Sequence, residues 1–134
     1  MGRIFYLDAV NGNDENSGIT PDAALKSLEA ANQILFGAGD KLLLKCGCEW
    51  KGMLCPHGDG DRFQFAQIGT YGYGEAPLID GNGAYAAILL DGVSYWKVKG
   101  LRICNHSSER CVRQGICISA KSEGITAGIE ISDC

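Results

Sequence analysis

"ILLDGVSYWKVKGLRICN", residues 88–105, is the stretch on which the fold turns. Two short apolar runs, Ile88 to Leu90 and Trp96 to Cys104, flank an Asp-Gly turn, and no helical period joins them. Val98, Leu101 and Ile103 in the second run match Ile129 and Ile131 in a later one, and the two runs end in turn residues bearing a carboxamide or carboxylate, Asn105 and Asp133. A sandwich or barrel also contains short strands. Equivalent apolar positions recurring in order fit a parallel solenoid better, because there like side chains stack about 4.8 Å apart in internal ladders.

The pattern extends outward from this stretch. Further β-like runs, Lys41 to Lys45, Phe63 to Ile68, Leu78-Ile79, Ile116 to Ser119 and Ile129 to Ser132, are separated by Gly, Asp, Asn and Ser. One series passes through Leu42-Leu43-Leu44, Ala66-Gln67-Ile68, Ile88-Leu89-Leu90 and Ile116-Cys117-Ile118 at spacings of roughly 20 to 28 residues. A second runs through Leu78-Ile79, Leu101-Arg102-Ile103 and Glu130-Ile131. Recurring strands with no helices between them point to a solenoid.

Upstream, Phe5-Tyr6-Leu7 predicts a first strand, and the signals change at Thr20-Pro21-Asp22. Thr20 suits an N-cap, Pro21 the first helical position, and Asp22 complements the helix dipole. Ala24, Leu28, Ala31 and Leu35, with Leu25 and Ile34 beside them, share one face before Gly37 and Gly39. The expectation is one amphipathic helix of roughly four turns, lying over the open strand edge of the first coil. The chain then divides into residues 1–39, first strand and capping helix, and 40–134, the first coils of a solenoid.

Composition sets the outer limits. The 134 residues have the length of one domain, and 12 Lys and Arg against 16 Asp and Glu give a net charge of −4, with no basic footprint for nucleic acid or an anionic membrane. No apolar stretch approaches the roughly 18 residues of a membrane span. The start, Met1 to Asp8, lacks the apolar core and cleavage site of a signal peptide, so the chain as given reads as soluble; residence in the cytoplasm, or export after loss of a signal, are both open. Seven cysteines without a regular framework read mainly as small buried hydrophobes.

In order and spacing, "FYLDAVNGNDENSGITPDAALKSLEAAN", "GDKLLLKCGCEWKG", "IGTYGYGEAPLIDGNG" and "ILLDGVSYWKVKGLRICN" resemble the N-terminal portion of right-handed parallel β-helix proteins of the pectate-lyase-like superfamily. The resemblance covers nearly the whole chain. It implies an all-β solenoid with an N-terminal capping α-helix and a carbohydrate-active protein acting on a polysaccharide or oligosaccharide, either a polysaccharide lyase or a glycoside hydrolase. The alternative is a non-catalytic glycan-binding or cell-surface module. Calcium would enter only if the full-length protein were a lyase. The N-x-D, D-D, G-H-G and R-x-K motifs of polygalacturonate hydrolases do not occur. Members usually continue for many more coils, so the expectation is an incomplete solenoid whose last coil favours self-association.

Candidate chemistry is sparse. "NGNDENSG", residues 11–18, alternates ligand-like side chains, but an EF-hand needs Gly at its sixth position and Glu at its twelfth, where Asn16 and Asp22 stand. Asx-turns account for it instead. Cys46, Cys48, Cys55 and His57 form the one soft-ligand cluster; its spacing departs from structural zinc sites, and packed thiols are preferred over a zinc site or a disulfide. "GTYGYG", residues 69–74, reads as a corner between strands. "HGDGDR", residues 57–62, is an ordinary tight turn that, on a β-helix, would also border a substrate groove. His57, Asp59 and Asp61, together with Trp50 as a sugar-stacking ring, are the candidate substrate-binding residues. Trp96 is expected in the core, and "NHSSERCVRQG", with His106, Arg110 and Arg113, as a solvated lateral loop. No catalytic residue and no metal ligand is assigned.

Overall fold

Strict alternation in "KLLLK" and "WKVK" buries every second side chain and turns the lysines outward, which dictates strands with one packed face. A computed structural model describes residues 2–61, 63–81, 86–91, 93, 95–104, 114–119 and 130–132. In chain order these form β1 (Ile4–Leu7), a 3₁₀ turn (Pro21–Ala23), α1 (Leu28–Asn32), β2 (Leu35–Phe36), β3 (Lys41–Lys45), β4 (Glu49–Lys51), β5 (His57–Gly58) and β6 (Ala66–Tyr71). There follow β7 (Leu78–Asp80), β8 (Ala86–Asp91), β9 (Trp96–Lys99), β10 (Arg102–Cys104), β11 (Gln114–Ser119) and β12 (Glu130–Ser132).

Every strand pair among the described residues is parallel. The first sheet has the order β1-β3-β6-β9-β12, the second β4-β7-β10, β8 pairs with β11, and β2 with β5. A bridge from Leu54 to Ile88 extends the β8–β11 pair by one position. Successive stretches of chain thus lay one strand on each sheet in turn: β6, β7 and β8, then β9, β10 and β11. The arrangement is solenoid-like, mostly β with very little helix, and no closed barrel forms among the described residues. No helix among them is long and apolar enough to cross a membrane.

The core is made of ladders. Phe5, Leu42, Ile68 and Val98 occupy successive positions on the inner face of the first sheet, all buried, and Ile131 is next in backbone register. On the second sheet Trp50, Ile79 and Ile103 are in register. Fully buried Trp96 pairs with small Ala66, and Phe36 fills the space beside it, edge-on at 5.2 Å between ring centroids. Large beside small keeps the interior dense without strain.

Three expectations need correction. The long helix is absent: Pro21–Ala23 is a 3₁₀ turn, Ala24 is extended at φ −69° and ψ 150°, and α1 has 5 residues. The backbone of the intervening stretch is engaged elsewhere. Leu25 N–H donates to the Tyr6 carbonyl, the Leu25 carbonyl accepts from Asp8 N–H, and the Ala24 carbonyl accepts from Asn13 N–H. Each group serves the outer edge of β1 or the preceding loop, so it cannot also close a helical turn. The edge is covered, but by extended chain and the Gly18 carbonyl rather than by a helix. Second, the strand series regroup. Leu42 and Ile68 continue into Val98 and Ile131, whereas Ile88 and Ile116 belong to a separate sheet, and Glu130-Ile131 lies on the first sheet instead of following Ile103. Third, the run Trp96 to Cys104 is two strands, broken at Gly100, whose φ of 81° suits glycine. Asn105, Ile129 and Asp133, the loop with His106, Arg110 and Arg113, and Arg62, Tyr85 and Cys134 lie outside the described residues.

Candidate functional site

The outward face of the first sheet carries polar and aromatic groups side by side. Alternation places Ile4, Lys41, Gln67 and Lys97 in one transverse row and Tyr6, Leu43 and Gly69 in the next, with Lys99 one residue past the Ile68–Val98 pair. A hollow of ≈ 390 Å3 lies over the first row, with Lys41, Gln67 and Lys97 below and Phe63, Gln64 and Phe65 as its wall.

The wall is fixed by its own turn. Asp61 Oδ1 accepts from Phe63 N–H at 2.8 Å and from Gln64 N–H at 2.7 Å, and the Gln64 carbonyl accepts from Asp61 N–H and Gly39 N–H. This is an Asx-type turn that holds Phe63 out of the core, 80% exposed. Phe65 packs edge-on against Tyr95 at 5.7 Å, and Lys97 Nζ sits 4.8 Å from the Phe65 ring centroid. An exposed ring beside an amide and ammonium groups has the makings of a pyranose site: an apolar face to stack on and donors for hydroxyls.

At the other end of the same face is a structural cluster. Asp8, buried, accepts from Val10 N–H at 2.9 Å and Asn11 N–H at 3.0 Å through Oδ1, while Lys45 Nζ lies 3.2 Å from Oδ2. Burial works to raise the Asp8 carboxyl, but the two N–H groups and the Lys45 ammonium outweigh it and hold the pKa below the ordinary aspartate value. Tyr71 packs edge-on against Tyr6 at 5.0 Å, and burial, reinforced by the Asp8 charge, pushes its phenol up to about 12. Asp40, also buried, accepts from Arg3 Nη2 at 2.6 Å, Arg3 Nε at 3.2 Å, Arg3 N–H at 2.7 Å and Gly37 N–H at 2.8 Å. Here too burial is outweighed and the carboxyl is held low.

The sequence candidates are scattered by the fold. Trp50 is 5% exposed, and its Nε1–H donates to the Lys26 carbonyl at 2.8 Å, so the ring belongs to the inner ladder of the second sheet rather than to a sugar-facing surface. His57 lies on β5, exposed, with Nδ1 2.7 Å from the Asn32 carbonyl oxygen. Asp59 is exposed in the following turn, and Asp61 borders the hollow by holding the Phe63 turn. Cys46, Cys48 and Cys55 form no disulfide; Cys48 Sγ is 3.7 Å from Asp8 Oδ1. Among the described residues no group of three His, Cys, Asp or Glu side chains is placed to hold a metal ion, calcium included. In "NGNDENSG", Asn13 Oδ1 accepts from Glu15 N–H at 2.9 Å, the Asx-turn expected of it. Asp14 goes further: Oδ1 accepts from Lys26 and Ser27 N–H, Oδ2 from the Ser27 hydroxyl, and Ser27 Oγ caps α1 at Ala30 N–H.

Sequence reasoning missed Phe63, Gln67 and the outward lysines. The lysines were legible as the polar half of "KLLLK" and "WKVK"; Phe63 was hidden because "FQFAQI" reads as one continuous strand.

No protein-family model matches the chain. Among solved structures it is similar to a class of carbohydrate-active enzymes, the GH136 glycoside hydrolases. The particular relatives are the GH136 lacto-N-biosidase from Eubacterium ramulus in two crystal structures, a selenomethionine derivative and the native protein. They align with TM-scores of 0.85 and 0.81 at 27% and 26% identity, each over 97% of this chain and 26% of that one. Among curated proteins it is similar to a lacto-N-biosidase of Bifidobacterium longum subsp. longum, 29% identical over 136 residues, covering 81% of this chain and 8% of that protein. The chain therefore spans about a quarter of the solved relatives' length and less than a tenth of the curated one's.

Proposed function

We propose that this chain forms the N-terminal coils of a carbohydrate-active right-handed parallel β-helix, and that the protein it serves is a glycoside hydrolase acting on a lacto-N-bioside or a related oligosaccharide. The observation that carries the reading is the likeness to lacto-N-biosidase over 97% of the chain at a TM-score of 0.85 with 27% identity. It favours hydrolysis over calcium-assisted elimination. Residues 1–39 cover the first coil and 40–134 supply the coils.

In this reading Asp8, Asp14, Asp40 and Asp61 are scaffold, since each holds backbone N–H groups, and the general acid and base of hydrolysis are other residues of the protein. Phe63, Gln67 and Lys97 meet the sugar, and Asp61 acts as a positioning residue for the Phe63 ring. A second reading, a module that binds glycan without cleaving it, draws support from the same exposed ring.

Amide-resonance titration of the chain with lacto-N-biose tests the contact. The expected result is perturbation of Phe63, Gln64, Gln67 and Lys97, lost in Phe63→Ala. An aryl lacto-N-bioside assay on the chain joined to its natural flanking sequence tests cleavage. Disaccharide release supports the hydrolase; binding without release transfers the conclusion to the second reading; neither binding nor release overturns both.

A further inference from the structure

Beside the Phe63 hollow lies a second one of ≈ 440 Å3, which shares Lys41 and Gln67 with it. That volume is in the range of sites for small ligands, about 300–1,000 Å3. Ile4 and Leu43 make an apolar wall, and Gly69 contributes no side chain to the floor. Lys41 and Lys99 line the same space from two different strands, and among the described residues no carboxylate lines it.

The charge of this hollow carries the argument. Three cations of the chain are neutralised by carboxylates: Arg3 by Asp40, Lys45 by Asp8, Arg102 by Glu75. Among the described residues no acidic side chain pairs with Lys41 or Lys99, although the chain as a whole is acidic at −4. Two like charges facing one concavity repel each other, and an anion between them relieves that repulsion while gaining two charge-assisted hydrogen bonds. A bare inorganic anion would leave Ile4 and Leu43 unused. The C–H face of a sugar ring covers them while its acidic substituent meets the lysines.

We propose that this hollow is a subsite for an acidic sugar residue, bearing a carboxylate or a sulfate ester, next to the residue seated on Phe63. The inference rests on the reading of this face as a glycan site and names the kind of glycan: one with a negative charge one residue from the stacked sugar.

The test is amide-resonance titration of the chain with sodium glucuronate, galactose 6-sulfate, galactose and inorganic sulfate. The acidic sugars are expected to shift Lys41, Gln67, Gly69 and Lys99 and to bind at least about fivefold tighter than galactose, the ratio corresponding to roughly one exposed ion pair. Lys99→Gln should lose about fivefold on the acidic sugars and nothing on galactose, and Lys41→Gln, at a residue shared with the Phe63 hollow, should also lose about fivefold on the acidic sugars. Lys99→Arg should retain the affinity, and unperturbed spectra of the unliganded variants exclude misfolding. In 1 M NaCl, where the screening length is about 3 Å, the advantage of the acidic sugars should vanish. Equal affinity for galactose and glucuronate overturns the acidic subsite and leaves the Phe63 contact standing. Inorganic sulfate binding as tightly as galactose 6-sulfate overturns the sugar and leaves a plain anion site. Lacto-N-biose failing while glucuronate binds overturns the neutral Phe63 contact alone.

Discussion

Replacing Trp50 separates a packing role from a binding role, because its two readings predict opposite outcomes. The side chain is 5% exposed, in register with Ile79, and its Nε1–H donates to the Lys26 carbonyl at 2.8 Å. Truncating a large buried aromatic to alanine costs about 3–5 kcal/mol, from lost transfer energy and the cavity left behind. The stranded Lys26 carbonyl adds about 1 kcal/mol where water cannot reach it. Against a total stability of about 5–15 kcal/mol, Trp50→Ala should lose a large part of the whole. Trp50→Phe keeps much of the ring but not the donor, and should cost about 1–3 kcal/mol. Trp50 and Trp96 are the only tryptophans, so each variant leaves fully buried Trp96 as a fluorescence reporter of urea unfolding. The expected result is a lowered midpoint at unchanged slope, with oligosaccharide binding by the folded fraction equal to that of the parent chain. A Trp50→Ala chain of unaltered midpoint that had lost oligosaccharide binding would refute the reasoning.

Two further predictions follow from the ion pairs and the backbone. Asp8, Asp14 and Asp40 all have carboxyls held below the ordinary value, so they contribute stability that is present above the unfolded value of about 3.9 and is lost as pH falls through their folded values. Urea midpoints should therefore be flat near neutrality and fall steeply below about pH 4; Asp40→Asn should be less stable at neutrality by about 2 kcal/mol, the buried-pair cost discounted because Arg3 is half exposed, and the gap to the parent should narrow in acid. Gly58→Ala should unfold the β2–β5 region: φ there is 98°, and an added Cβ would stand 2.0 Å from the Phe36 carbonyl oxygen. Proteolysis within residues 55–60 at neutral pH reads this out, and a cleavage rate equal to the parent's would count against it.

Much of the scaffold was legible locally. "KLLLK" matches β3 residue for residue because burying Leu42 and Leu44 on one face turns both lysines outward, and "GTYGYG" marks a corner because Gly72 and Gly74 have positive φ. The helix failed for a different reason. Ala24 to Leu35 has an apolar face of the right period, but the open edge of β1 competes for the same carbonyl and amide groups, and a periodicity argument sees no such competitor. Of the candidate site residues Trp50 was misplaced, since beside a lysine and a glycine it looks exposed in sequence and is inside in fact.

By itself the sequence determined that strands recur, which of their residues point inward, and where glycine and Asx turns separate them, since each depends on neighbours a few positions away. Tertiary structure decided which strand lies beside which. Val98 follows Ile68 rather than Ile88 because pairing depends on how far the chain travels around each turn, a distance no local pattern encodes. The same stacking gathers Lys41, Gln67 and Lys97 from three strands onto one row and leaves Phe63 standing over them. That surface exists only once the coils are stacked.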